Sequence, residues 1–252
     1  MNILITNDDG IHAPGIFALK KALEIIGNVL VVAPDTERSA VGHAITLSDP
    51  LRVSEVYKDD SHFGWAVNGT PADCVKLGIR CISKKPIDIV VSGINLGPNT
   101  ATNIMYSGTV SAAAEAVIMG VPGLAISLTS FDTPEFEYSS RLAQQLTKKI
   151  IENGLPEGTL LNVNVPPLKP EEIEGIVITR QGKGRYEESF DKRIDPNNRT
   201  YYWLSGKRMN LDHEDDVDDV VIRSNKVSIT PVRYDLTDTD MLEKLQRWNI
   251  EK

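Results

Sequence analysis

The hydrophobic positions fall into short unbroken runs separated by stretches of helical spacing. Ile3-Leu4-Ile5 reads as a buried strand that stops at the turn-prone Asn7-Asp8-Asp9-Gly10. Ile16, Leu19, Leu23 and Ile26 then recur at helical intervals, Gly27-Asn28 stops that helix, and Val29 to Val32 is the next strand. Strands that are apolar at every position, without alternation, belong to a parallel sheet covered on both faces. The rhythm continues with a helix from the Thr70-Pro71 cap to about Ile82 and a strand from Ile87 to Val91. After a loop from Ser92 to Gly108 come an alanine-rich helix from Thr109 to Met119, ended by Gly120, and a strand from Gly123 to Leu128. A helix from Pro134 to Asn153 and a strand from Leu160 to Val165 complete a doubly wound core.

Two segments break the rhythm. From about 44 to 68 the pattern alternates, as in Leu51-Arg52-Val53-Ser54-Glu55-Val56, which predicts a β-hairpin insertion. Pro166-Pro167 and Pro170 mark a boundary, and beyond Gly175 the chain is strand-rich: Ile176 to Thr179, Thr200 to Leu204 and Val227 to Val232, with a last helix from Asp238 to Trp248. The fold class is therefore α/β, a mostly parallel sheet with helices on both faces, plus a C-terminal β-hairpin extension. A core at 1–170 and a β-rich region at 171–252 are the expected domains. Tyr201 and Trp203 alternate in a projecting hairpin that packs either on the parent core or on a second subunit.

With 252 residues, 41% hydrophobic and 25% charged, the composition is that of a globular protein able to bury a large core. A formal net charge of −8 argues against a nucleic-acid partner, which demands a basic face. The start of the chain lacks the basic and apolar regions of a signal peptide, and no run is long enough to cross a bilayer, so a cytoplasmic protein without a membrane partner is expected. Cys74 and Cys81, seven residues apart on one predicted helix, are roughly 10 Å from each other, too far for a disulfide. They share a helix face and read as buried apolar packing.

The chemistry lies where strands end. The strands ending near Thr6, Ala33 and Val91 lead into loops holding Asp8 and Asp9, Ser39, and Asn95, and ligands of open parallel sheets bind at such carboxyl ends. Turn chemistry by itself accounts for Asn7-Asp8-Asp9-Gly10. Two carboxylates converging in a cleft, however, repel each other unless a cation keeps both ionised. An all-oxygen set of carboxylates, hydroxyl and amide carbonyl suits Mg²⁺ or Mn²⁺ and leaves about two octahedral positions open, whereas zinc calls for clustered His and Cys. Tyr106-Ser107-Gly108-Thr109 opens the alanine-rich helix, where free amides and the dipole favour an anion; a plain N-cap explains the same residues.

The motifs Ile3 to Gly10, Ala33-Pro34-Asp35 through Arg38-Ser39, Ser92-Gly93-Ile94-Asn95 with Gly97 and Asn99, and Tyr106 to Val110 together resemble the survival protein E (SurE) family of nucleotidases. The likeness is close over the first two-thirds and looser through Thr179-Arg180-Gln181-Gly182 and Val227 to Pro231. It implies a Rossmann-like catalytic core and a metal-dependent phosphatase acting on nucleoside 5′- and 3′-monophosphates and short polyphosphate. It also implies homodimers or homotetramers that exchange the C-terminal hairpin. Carried over by position, it implies one divalent cation per subunit on Asp8, Asp9, Ser39 and Asn95, and phosphate binding by Ser107, Gly108 and Thr109, with Asn95 serving both. Asp8, Asp9 and Asn95 are the catalytic candidates. Ala40-Val41-Gly42-His43 departs from the family pattern, which bears on substrate preference.

His43 is a candidate acid for the leaving group, with a loop histidine capping backbone as the plainer reading; His12 is in the same position. Arg180, Lys183 and Arg185 meet either substrate or solvent, and the acidic run Asp212 to Asp219 reads as a solvated face. Two rival functions stay open: a phosphatase forming an aspartyl-phosphate, whose two aspartates are usually one residue apart instead of adjacent, and a non-catalytic nucleotide-binding oligomer.

Overall fold

A computed structural model describes residues 1–132, 135–248 and 250. Its main sheet has nine strands in the order β3-β4-β2-β1-β5-β6-β7-β11-β8. In chain order these are β1 (Asn2–Thr6), β2 (Asn28–Pro34), β3 (Val53–Lys58), β4 (Ser61–Val67), β5 (Ile89–Leu96), β6 (Gly123–Leu128), β7 (Thr159–Val165), β8 (Ile176–Ile178) and β11 (Val227–Arg233); β9 (Arg185–Ile194) and β10 (Thr200–Met209) pair with each other instead. The helices are α1 (Pro14–Leu23), α2 (Pro71–Leu77), α3 (Gly108–Ile118), α4 (Glu137–Asn153), α5 (Asp218–Arg223) and α6 (Thr239–Gln246).

The unbroken apolar strands are buried on both sides, as a parallel sheet requires. Ile3 and Ile5 of β1 pack in the cluster that holds Ile16 and Leu19 of α1 and Leu142 and Ile150 of α4. Leu4, between them, faces Cys74 and Val75 of α2 and Ala112 and Ala116 of α3. One residue of pleat thus assigns alternate side chains to opposite helix layers. From β1 the chain winds outward to β2, then returns past its start to β5. The crevice between β1 and β5 is therefore the switch point of the sheet.

The predicted hairpin is present, turning at Asp59 and Asp60, both at positive φ; β4 joins it to the main sheet by pairing parallel with β2. Beyond the prolines at 166–170 the chain returns to that sheet, with β11 antiparallel to β7 and parallel to β8. The expected start of a helix at Pro134 lies outside the described residues.

Several expectations are corrected. β5 runs on past Val91 to Leu96, so Asn95 stands on a strand and not in a loop. The register shift between Ser92 and Asn95 marks a bulge, which is why Ser-Gly there resembles the end of a strand. Cys74 is buried but Cys81 is exposed: after Leu77 the helix widens into a π-turn, with the Ser83 amide reaching Gly78 O at 3.0 Å, and this turns Cys81 off the inner face. The acidic run is solvated only in its middle, at Glu214, Asp215 and Asp216, since Asp212, Asp218 and Asp219 are buried.

Candidate metal and phosphate site

A cleft of about 780 Å³ opens over the switch point, and Asp8, Ser39, Asn95 and Ser107 are among its lining residues. Asp9, Gly108 and Thr109 do not line it and act on it through Asp8. The Thr109 hydroxyl donates to Asp8 Oδ1 at 2.5 Å, and the amides of Gly108 and Thr109 favour the charged form of the same carboxylate. Gly108 permits this approach, since a methyl group there would lie 2.7 Å from Asp8 Cβ. The N-terminus of α3 thus holds an anion, and the anion it holds is a side chain of this protein.

Ser107 caps α3, its Oγ accepting from the Val110 amide at 3.1 Å, which leaves its own proton to donate into the cleft. Asn95 Nδ2 donates to Gly97 O at 2.8 Å, so Oδ1 is the atom left to accept. Ser39 is exposed at the rim. Its hydroxyl donates to Glu37 Oε1 at 2.6 Å, leaving oxygen lone pairs for another partner. The Arg38 amide donates to Asp8 O at 2.7 Å and ties the loop after β2 to the loop after β1.

Burial pushes the Asp8 carboxyl above the usual range. Burial, reinforced by the charge of Asp8, pushes Asp9 up to about 7, while the Leu96 amide opposes the rise. No Lys or Arg among the described residues forms an ion pair with either. Buried side-chain oxygens of Asn7, just after β1, and of Ser92, within β5, have no hydrogen-bond partner among the described residues. Two adjacent carboxylates without a counter-charge, backed by neutral oxygens, fit a hard divalent cation. Among the described residues no three His, Cys, Asp or Glu side chains form a metal cluster; Ser39 and Asn95, which line the cleft with Asp8, offer further oxygen atoms to a cation.

Other candidates lie elsewhere. His43 Nε2 meets the buried Glu115 at 2.8 Å, and Lys76 takes the other oxygen at 2.6 Å, so this trio joins its loop to α2 and α3. His12 is exposed, Arg180 is held by Asp216 and Glu214, and neither Lys183 nor Arg185 lines the cleft.

Two features of the cleft were not among the predicted site residues, although Asn99 belongs to a motif named above. Asn99 lines the cleft, its backbone carbonyl accepting from Asn162 and Asn164 of β7 at 2.8 and 3.0 Å. Polar residues alternating within Leu160 to Val165, in a strand otherwise fit for burial, were a signal for it. The second is a wall formed by Tyr186, Glu188 and Leu204 to Gly206 of the β9–β10 hairpin. No local pattern could place that distant segment at the switch point.

A family model described as Survival protein SurE matches residues 3–188. A protein of Pelotomaculum thermopropionicum named 5′-nucleotidase SurE is 51% identical over 249 residues, covering 98% of this chain and 95% of its own. One of the same name from Desulfatibacillum aliphaticivorans is 49% identical over 253 residues, covering all of both chains. The crystal structure of the SurE protein from Aquifex aeolicus superposes with a TM-score of 0.86 at 41% identity, covering 99% of this chain and 100% of that one.

Proposed function

The chain belongs to the SurE family, and from that membership and the geometry of its cleft we propose that it is a metal-dependent phosphomonoesterase hydrolysing nucleoside 5′- and 3′-monophosphates to nucleoside and phosphate. The observation that carries this reading is the convergence of Asp8, Asn95 and Ser107 on one cleft, with two carboxylates that lack a counter-charge. The relatives named 5′-nucleotidase support the substrate class.

Asp8, Asp9, Ser39 and Asn95 would hold one Mg²⁺ or Mn²⁺ per subunit. When bound, the cation supplies Lewis-acid polarisation of the phosphate and lowers the pKa of water. Asp8, held by Thr109 and lining the cleft, is fixed in place to orient the attacking water and accept its proton, while Asp9, held by the Leu96 amide, adds its charge beside Asp8. Ser107 donates its hydroxyl proton to an equatorial phosphate oxygen. Gly108 and Thr109 direct the positive end of α3 at Asp8 and so hold that carboxylate in place, and the Asn95 amide is fixed by Gly97. The exposed apolar side chains of β9 and β10, including Phe190, Trp203 and Leu204, support a homodimer or homotetramer joined through the hairpin.

Phosphate release from a panel of nucleoside monophosphates, with and without Mg²⁺ or Mn²⁺, tests the reading. Activity should vanish on chelation, and Asp8→Asn should lower kcat/KM by at least about 100-fold. Near-normal turnover by that variant at saturating metal would contradict the ligand assignment.

A further inference from the structure

Phe131 is 74% exposed, yet it lines the cleft. It follows β6, and the Gly97 amide, donating to Leu128 O at 2.8 Å, draws the end of that strand against the turn after Asn95. The ring rests on Gly97: a methyl group there would lie 2.5 Å from its Cε1 and 2.6 Å from its Cζ. Gly97 O is the same atom that fixes the Asn95 amide. One turn of backbone therefore carries a phosphate-end ligand on one side and supports an aromatic ring on the other. Tyr106, itself 61% exposed, precedes Ser107 and supplies a second aromatic to the lining.

A phenylalanine left this open gains little from folding, because hydrophobic stabilisation scales with the area removed from water. Its ring has backing at Gly97 and free surface toward the cleft. We propose that Phe131 is a specificity-determining residue that stacks on the nucleobase of a substrate whose phosphate lies at Asn95 and Ser107. The proposal rests on the phosphomonoesterase reading above and names the part of the substrate that the mouth of the cleft recognises. A phenyl ring has no donor or acceptor with which to tell one base edge from another. It recognises the π-face that every base has, so it favours nucleotides over esters without a base while remaining tolerant among bases.

The test compares adenosine 5′-monophosphate with ribose 5-phosphate, which carries the same ester without the base. In Phe131→Ala the ratio of kcat/KM for the two should fall about 5- to 100-fold, the range supplied by stacking one base on an aromatic ring. The loss should appear mainly in KM, and Phe131→Trp should restore the ratio. Melting temperature and gel filtration, unchanged in Phe131→Ala, would tie the effect to substrate. An unchanged ratio, with both esters hydrolysed, overturns the stacking and leaves the phosphatase reading intact. A shift in subunit association without a change in ratio makes the ring a subunit contact and also overturns it. Failure of the wild-type protein to hydrolyse either ester overturns the functional reading, and the proposal with it.

Discussion

Burial raises the Asp9 carboxyl to about 7, whereas in the unfolded chain an aspartate titrates near 3.9. Between these pH values the folded protein keeps a proton that the unfolded chain has lost. Stability from this group is therefore full below about pH 4, falls as pH rises through about 7, and stays lost above it. Asp9→Asn should remove the penalty. In chelator at pH 8 the variant is expected to be more stable than the wild type by about 1–3 kcal/mol, after discounting for partial exposure, or a few degrees in Tm. Thermal melts should show the two converging at pH 4, and Mg²⁺ at pH 8 should raise the wild-type Tm but not the variant's. Equal melts at both pH values would remove Asp9 as the source of strain. The sequence offered Asp8, Ser39 and Asn95 as candidates, and all three line one cleft, although Asn95 does so from within β5 and not from a loop after it. Their partners could not be read from it: nothing local tells that Thr109, a hundred residues on, donates to Asp8.

At the scale of elements, α5 holds the site loop from a distance. Asp218, wholly buried at its start, accepts from the amides of Ala101 at 2.9 Å and Gly182 at 3.0 Å, and also from that of Asp219. Arg208 at the base of β10 bonds Thr100 at 2.7 Å and pairs with Asp219. The loop from Pro98 to Thr102 is thereby clamped between β7 and α5. Asp218→Ala strands buried amides and should cost about 2–4 kcal/mol, seen as a lower Tm, with a rise in KM as the cleft wall loosens. A variant that melts lower while keeping its KM would show the clamp to be structural only. Neither α5 nor β9 was legible beforehand. Asp218-Asp219 reads as solvated charge until Gly182 and Ala101 are known to face it, and Arg185 to Ile194 is too highly charged to show a buried face. β5 was read short because the glycine of its bulge resembles a stop.

Across the whole molecule, unbroken apolar runs made the doubly wound core readable, since only burial on both faces gives that pattern. The hairpin is different: its two strands pair with each other over ten residues a side and leave Tyr202, Trp203, Leu204 and Phe190 more than half exposed. Joint replacement of Trp203 and Leu204 by glutamate should lower the mass seen by light scattering to that of one chain; an unchanged mass would place the subunit contact elsewhere. The same ribbon supplies Tyr186, Glu188 and Leu204 to the cleft wall. The proposed self-association through this arm and occupancy of the cleft would then form a thermodynamic cycle. Whatever factor saturating nucleotide contributes to the association constant, association must contribute to nucleotide affinity, so a nucleotide that tightens association should bind more weakly on dilution.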